Sequence, residues 1–117
     1  MNVRRREQRG ACGVVSSGAG NLWVISVAGE VDFTSTDLLE LTVAEVLRSH
    51  EGAIAFDLSR LAFCDSSMLN VLLRSSRQRQ VLLIGITPQT QRLLQVSGTA
   101  SIFEQHVTVQ DAVDATS

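Results

Sequence analysis

Hydrophobic periodicity changes several times along the chain, and each change marks an element. ACGVVSSG (11–18) reads as a strand, SGAGN as a turn with two glycines, and LWVISVAG (22–29) as the next strand. These two strands are expected to pair as a hairpin. Alternation is incomplete in LWVISV, which suggests a strand covered on more than one side. After Gly29 the period becomes helical. Leu38, Leu41 and Val46, with Leu39, Val43 and Leu47 on a neighbouring row, form an apolar stripe. Thr34, Ser35 or Thr36 is placed to cap this helix, and Gly52 to end it.

AIAFDLS (53–59) is a short strand, too apolar to be exposed on both faces. A connection, RLAFC, leads to the helix SMLNVLLRSSRQRQ (67–80). There Leu69, Leu72 and Leu73 share one side, Met68 and Val71 adjoin it, and Asn70, Arg74 and Arg77 fall elsewhere and are solvated. VLLIGI (81–86) is a continuous apolar run of the kind found in a central parallel strand. Thr87 and Pro88 supply a cap and a first helical residue, and QTQRLLQVSG carries that helix to Gly98. SIFEQHVTV contains a last short strand and QDAVDATS a terminal helix.

The order β-β-α-β-α-β-α-β-α requires crossover connections between parallel strands. It predicts a single α/β domain: a mixed, mostly parallel β-sheet flanked by helices, with an antiparallel hairpin at its start. The 117 residues suit one domain able to bury a core without a disulfide or metal. Hydrophobic residues make up 44% of the chain, which excludes a disordered one, and with aromatics at 4% the core must rest on Leu, Val, Ile and Ala.

Net charge is −2, but its distribution is uneven. Arg4, Arg5, Arg6 and Arg9 face only Glu7 in the first ten residues, and the remainder balances at −5. Residues 1–10 are expected to be a flexible basic N-terminal tail, solvated rather than binding nucleic acid, with residues 11–117 as the domain. No apolar segment follows the arginines as in a signal peptide, and the longest apolar run is too short to span a bilayer. No membrane insertion and a cytoplasmic location are expected. Cys12 and Cys64 lack CxxC spacing and are expected to be reduced, buried thiols; a redox pair would require them to meet in the fold.

Sites in open α/β sheets lie at the carboxyl ends of parallel strands. Two such ends carry polar clusters here, Glu30-Val31-Asp32 and Asp65-Ser66-Ser67, and the fold would bring them to one edge. Asp65 and Ser66 both suit a helix cap, which leaves a further hydroxyl on the first turn. Added phosphate there would meet unsatisfied N–H groups and the helix dipole, and would repel Asp32 and Asp65. A serine nucleophile needs a base and an orienting group. Neither His50, at a helix end, nor His106, in the final strand, is placed as that base; no GxSxG elbow and no lysine exist. Asp32 and Asp65 could serve as an acid–base pair, but nothing else marks a substrate pocket. The chain is therefore expected not to be an enzyme, with no catalytic residues, no metal and no cofactor.

FDLSRLAFCDSSMLNVLL resembles the signature of the STAS family of anti-sigma factor antagonists: an apolar strand, Asp-Leu-Ser, a short connector, then Asp-Ser-Ser-Gly-Leu-Gly and an apolar helix. GEVDFTST and VSGTASIFEQHVTVQDAV resemble two further family segments, so the likeness runs over about residues 11–115. It implies a partner switch. Such a protein binds an anti-sigma factor that is also a serine kinase, is released when that kinase phosphorylates it, and is restored by a metal-dependent serine phosphatase. The family's acceptor falls on Ser67, with Ser66 as the alternative, and its nearby acidic residue on Asp32. Asp32, Asp65, Ser66, Ser67, Met68 and Asn70 are the expected partner-binding residues. Met68 and Asn70 stand where the family has glycine, so Met68 would add apolar bulk beside Ser67. The alternative function is a non-phosphorylated STAS adaptor subunit of a transport or lipid-trafficking complex. Either a monomer or a homodimer suits both readings.

Overall fold

Central strand residues alternate between two buried faces. Ile25, Val27, Ile54, Phe56, Leu58, Val81 and Leu83 turn to one face; Leu22, Val24, Ala55, Leu82 and Ile84 turn to the other. The structure is a computed structural model and describes residues 3–7, by backbone alone, and 12–116. Its strands are β1 (Val3–Glu7), β2 (Cys12–Ala19), β3 (Leu22–Val31), β4 (Ile54–Cys64), β5 (Val81–Ile84) and β6 (Glu104–His106). Its helices are α1 (Asp37–Ser49), α2 (Ser66–Ser76), α3 (Pro88–Val96) and α4 (Val109–Thr116), with a 3₁₀ turn at Ala100–Ile102.

The six strands lie side by side in chain order. β1–β2 and β2–β3 pair antiparallel; β3–β4, β4–β5 and β5–β6 pair parallel. This is the expected mixed, mostly parallel sheet. Helices cover both faces, which explains why β5 is apolar at every position and fully buried. Leu39, Val43 and Val46 of α1, Met68, Leu69 and Leu72 of α2, and Leu94 of α3 pack on the first face. α4 closes the second with Ala112, flanked by Val109 and Val113. Each fully buried Leu, Ile or Phe contributes about 1.5–3 kcal/mol by leaving water.

Two expectations need correction. Residues 3–7, assigned to a flexible tail, form β1, with Val3 opposite Ser17 and Glu7 opposite Gly13. β2 would otherwise present an unpaired edge of N–H and C=O groups, and the chain just upstream satisfies them. The rest of the expected tail lies outside the described residues. RLAFC, taken as a connection, is the second half of β4. There Leu61 and Cys64 are buried while Ala62 and Phe63 are exposed, and the pairing with β3 shifts between Gly29 and Glu30. That irregularity blurs the alternation by which a strand is recognised.

Two glycines are required by geometry. Gly20 takes φ +58° in the two-residue turn joining β2 to β3, where a left-handed first residue matches the strand twist. Gly85 takes φ +63° as the chain leaves β5, and a Cβ there would sit 2.8 Å from the Ser59 Cβ. The two cysteines flank β3: Cys12 pairs with Gly29 and Cys64 with Val31. Two strand spacings separate them by roughly 9–10 Å before the two-residue offset is added. A disulfide allows at most about 7 Å between Cα atoms, so the redox pair is ruled out. Both are free and buried.

Candidate functional site

The β3–β4 ladder ends on the buried pair Val31 and Cys64, and both strands turn there into helices. The Asp65 N–H donates to the Val31 carbonyl at 3.2 Å, joining the two exits. Asp32 and Asp65 thus emerge from adjacent strand ends, as expected for one sheet edge.

The Asp32 exit is built from hydroxyls. Asp32 Oδ1 accepts from Thr34 N at 2.9 Å, Thr34 Oγ1 at 2.6 Å and Ser35 Oγ at 3.2 Å. The Thr34 hydroxyl, followed by the Thr34 N–H, holds this carboxyl below its ordinary pKa. The buried Ser35 hydroxyl also receives the Asp32 N–H at 2.9 Å. Thr36 is the residue before α1, but it makes no side-chain cap bond; the loop is fixed instead by Asp32 and Ser35.

At α2 the capping residue is Asp65. Its Oδ1 accepts from the Ser67 backbone N–H at 2.8 Å. Ser66 is exposed, Ser67 half-buried and Asn70 exposed. Met68 is 1% exposed and packs in the core. The expectation that Met68 contacts a partner is therefore corrected: it lies one step round the helix from Ser67 and faces the sheet, so its bulk adds nothing to the surface.

A residue with no signature in the sequence supports the strand end. Gln89, in the first turn of α3, donates from Nε2 to the Cys64 carbonyl at 2.9 Å and accepts the Cys64 N–H at 3.4 Å. Burial pushes the Cys64 thiol up, the Thr90 hydroxyl opposes this, and the Asp65 charge adds to it.

Beside the caps, α1 and α2 enclose an open groove of about 460 Å³, lined by Phe33, Thr36, Glu40, Ser67, Asn70, Leu73, Arg74 and Arg77. Phe33 is 80% exposed. Arg74 Nη2 reaches Glu40 Oε1 at 3.2 Å across it. The periodicity gives Asn70, Arg74 and Arg77 as solvated positions, and of the three the family resemblance singles out Asn70 alone. Their spacing of three, seven and ten residues from Ser67 is the signal that places all four on one helical face.

The chain contains four Asp-x-Ser/Thr units. Asp114-x-Thr116 lies inside α4, where the Thr116 hydroxyl donates to the Ala112 carbonyl of its own helix; the three at strand ends and loops differ in one bond. At Asp32-x-Thr34 and Asp57-x-Ser59 the aspartate takes both the backbone N–H and the hydroxyl, the latter at 2.6 and 2.7 Å. At Asp65-x-Ser67 it takes the N–H alone. The histidines are engaged elsewhere. His50 Nε2 is 3.0 Å from the Ala53 carbonyl at the opposite end of β4, and His106 Nε2 is 2.7 Å from Glu104 Oε2. Among the described residues no three His, Cys, Asp or Glu side chains gather to hold a metal ion, and no helix is long and apolar enough to cross a membrane.

A family model described as Mlab, STAS domain, matches residues 14–104. The anti-sigma-F factor antagonist RsfB of Mycobacterium tuberculosis is 29% identical over 94 residues, 77% of this chain and 77% of that protein. An anti-sigma factor antagonist from Mycobacterium paratuberculosis superposes with a TM-score of 0.84 at 23% identity, over 95% of this chain and 98% of that one. The Bacillus cell fate determinant SpoIIAA in its phosphorylated form superposes with a TM-score of 0.67 at 19% identity, over 99% and 100% of the two chains. The solved structures share the fold, and the family model spans the sheet from β2 to the start of β6 together with the Asp-Ser-Ser cap: this chain belongs to the STAS domain family.

Proposed function

We propose that this chain is an anti-sigma factor antagonist that binds an anti-sigma factor serine kinase and is released by phosphorylation of Ser67. The supporting observation is the difference among the three Asp-x-Ser/Thr units that lie outside α4. Thr34 and Ser59 spend their hydroxyl protons on a carboxylate two residues back, whereas Asp65 binds only the Ser67 N–H. The Ser67 hydroxyl is left to turn toward an incoming group, on a helix start already capped. The RsfB likeness favours the antagonist role, and that of SpoIIAA in its phosphorylated form favours the modification.

In the kinase reaction Ser67 Oγ forms a bond to the γ-phosphorus of ATP. The bond from that phosphorus to the β–γ bridging oxygen breaks, ADP departs, and the hydroxyl proton passes to a base on the kinase. The phosphatase reverses the state by hydrolysis, water replacing Ser67 Oγ on phosphorus to release inorganic phosphate. ATP and metal belong to those two enzymes. The added group carries about −1.5 to −2 charge and stands beside Asp32 and Asp65, so a partner that accommodated two carboxylates meets a third, larger anion. Asp32, Asp65, Ser66 and Asn70 form the surface it reads.

The test is incubation with the cognate kinase and ATP, with phosphate mapped by mass spectrometry. Label on Ser67 that is lost in Ser67→Ala is the expected result. Label on Ser66 moves the acceptor by one residue. No label from a demonstrably active kinase, with equal partner binding by wild type and Ser67→Asp, replaces the switch with the adaptor reading.

A further inference from the structure

We propose that Asn70 and Arg74 form a built-in seat for the phosphate on Ser67, and that Arg74 leaves Glu40 to occupy it. The inference rests on the reading of Ser67 as the acceptor. Ser67, Asn70 and Arg74 follow one another on α2 at intervals of three and four residues, so they share a face. All three line the same groove. Helical side chains lean toward the N-terminus, so Asn70 and Arg74 incline toward Ser67 rather than away from it.

The amide of Asn70, one turn from Ser67, offers N–H donors to a phosphate oxygen. Arg74 lies two turns away, roughly 10 Å along the axis. A phosphorylated serine and a long arginine side chain leaning toward it close that distance between them. The guanidinium presents a fork of donors matched to phosphate oxygens. Before phosphorylation it is held by Glu40 of α1 at 3.2 Å, with the two side chains 57% and 44% exposed. Exposed pairs of this kind are weak, and a nearly dianionic phosphate outcompetes one carboxylate. Phosphorylation then replaces a tie across the groove, from α1 to α2, with a tie inside α2, and frees Glu40. The family's glycine at the Asn70 position has no amide to contribute, so the seat belongs to this chain's own departure from the pattern. The other charges around the phosphate are Asp65 at the cap, Asp32 in the β3–α1 loop, and Arg77 at the far end of the groove.

The experiment installs phosphoserine at position 67 during translation, without a kinase, and follows its ³¹P resonance against pH. The second ionisation of phosphoserine ordinarily falls near about 6. In the wild-type chain it should fall lower. Arg74→Gln should raise it by about half a unit, as loss of a neighbouring opposite charge does. Asn70→Gly should raise it less, Arg74→Lys should recover part of the Arg74→Gln change, and Arg77→Gln should match wild type. The Arg74 Nε–H resonance of the wild-type chain should also move on phosphorylation. These side chains are exposed, and circular dichroism verifies that each variant is folded. Identical titrations for wild type and Arg74→Gln, or a larger effect from Arg77→Gln, overturn the seat. Because no kinase is involved, that outcome leaves the acceptor reading intact, and a kinase that ignores Ser67 leaves this titration unaffected.

Discussion

Asp65 accepts the Ser67 backbone N–H at 2.8 Å, so one residue closes the start of α2 and the next hydroxyl is spared that task. The cap, Asp65, and the proposed acceptor, Ser67, stand two residues apart and are separable. Asp65→Ala should therefore lower stability by about 1 kcal/mol, the usual worth of an N-cap side chain. Asp65→Asn, which keeps an accepting oxygen, should cost less. Urea unfolding followed by circular dichroism measures both. A loss several times larger would mean that Asp65 anchors more than the cap.

Met68 occupies the core, so restoring the family's glycine there should not open the surface for a partner. It should damage the fold. Truncating a buried methionine to alanine costs about 2–5 kcal/mol. Glycine adds about 1 kcal/mol in a helix interior. Met68→Gly is expected to show a sharply lowered denaturant midpoint, and Met68→Leu, which preserves volume, a loss under about 1.5 kcal/mol. A Met68→Leu protein should bind its partner with wild-type affinity in calorimetry.

Much of this arrangement was legible in the chain because local and tertiary demands agree. VLLIGI is apolar throughout since both faces of β5 are covered, and Thr87-Pro88 starts α3 with the Thr87 hydroxyl accepting from Thr90 N at 3.3 Å. The Asp-Ser-Ser block stands at a strand end and a helix start, where it was expected. What escaped depends on partners distant in sequence. β1 exists because β2 offers it an edge, and VRRRE has no apolar alternation of its own. The second half of β4 is disguised by shifts in its pairing with β3. Met68 reads as surface when aligned to a glycine and as core once α2 is set against the sheet. Gln89 matters only because α3 returns to Cys64, 25 residues earlier.

Asp32 should contribute to the acid limb of stability. Its carboxyl ionises below the ordinary value in the folded chain because the Thr34 hydroxyl and N–H bind the carboxylate. The unfolded chain takes up the proton first as pH falls. The contribution is thus fully present above the unfolded value and is lost as acidification passes through it toward the folded one, from about pH 5 downward. Asp32→Asn removes this dependence. Urea midpoints of the variant should fall less steeply between neutral pH and pH 3 than those of wild type. Parallel slopes would show that the hydroxyl cage does not favour the ionised form.

Cys12 and Cys64 should behave as two independent, unreactive thiols. Burial raises both pKa values, so less thiolate is present at neutral pH than for an exposed cysteine. A maleimide or disulfide reagent must wait for local opening of β2 or of the β4–α2 junction. Labelling of the native protein is expected to be slow and complete only in denaturant. Because β3 lies between the two residues, mild oxidation of folded protein should leave both thiols free, as intact mass under non-reducing conditions will report. A native intramolecular disulfide would require β3 to leave the sheet, and its detection would contradict the strand order itself. Cys64→Ser should leave the sheet intact but place a hydroxyl where the sulfur now meets Thr90 Oγ1 at 3.8 Å. The cost is expected to be about 1–3 kcal/mol if that hydroxyl remains unpaired, and less if Thr90 turns to receive it.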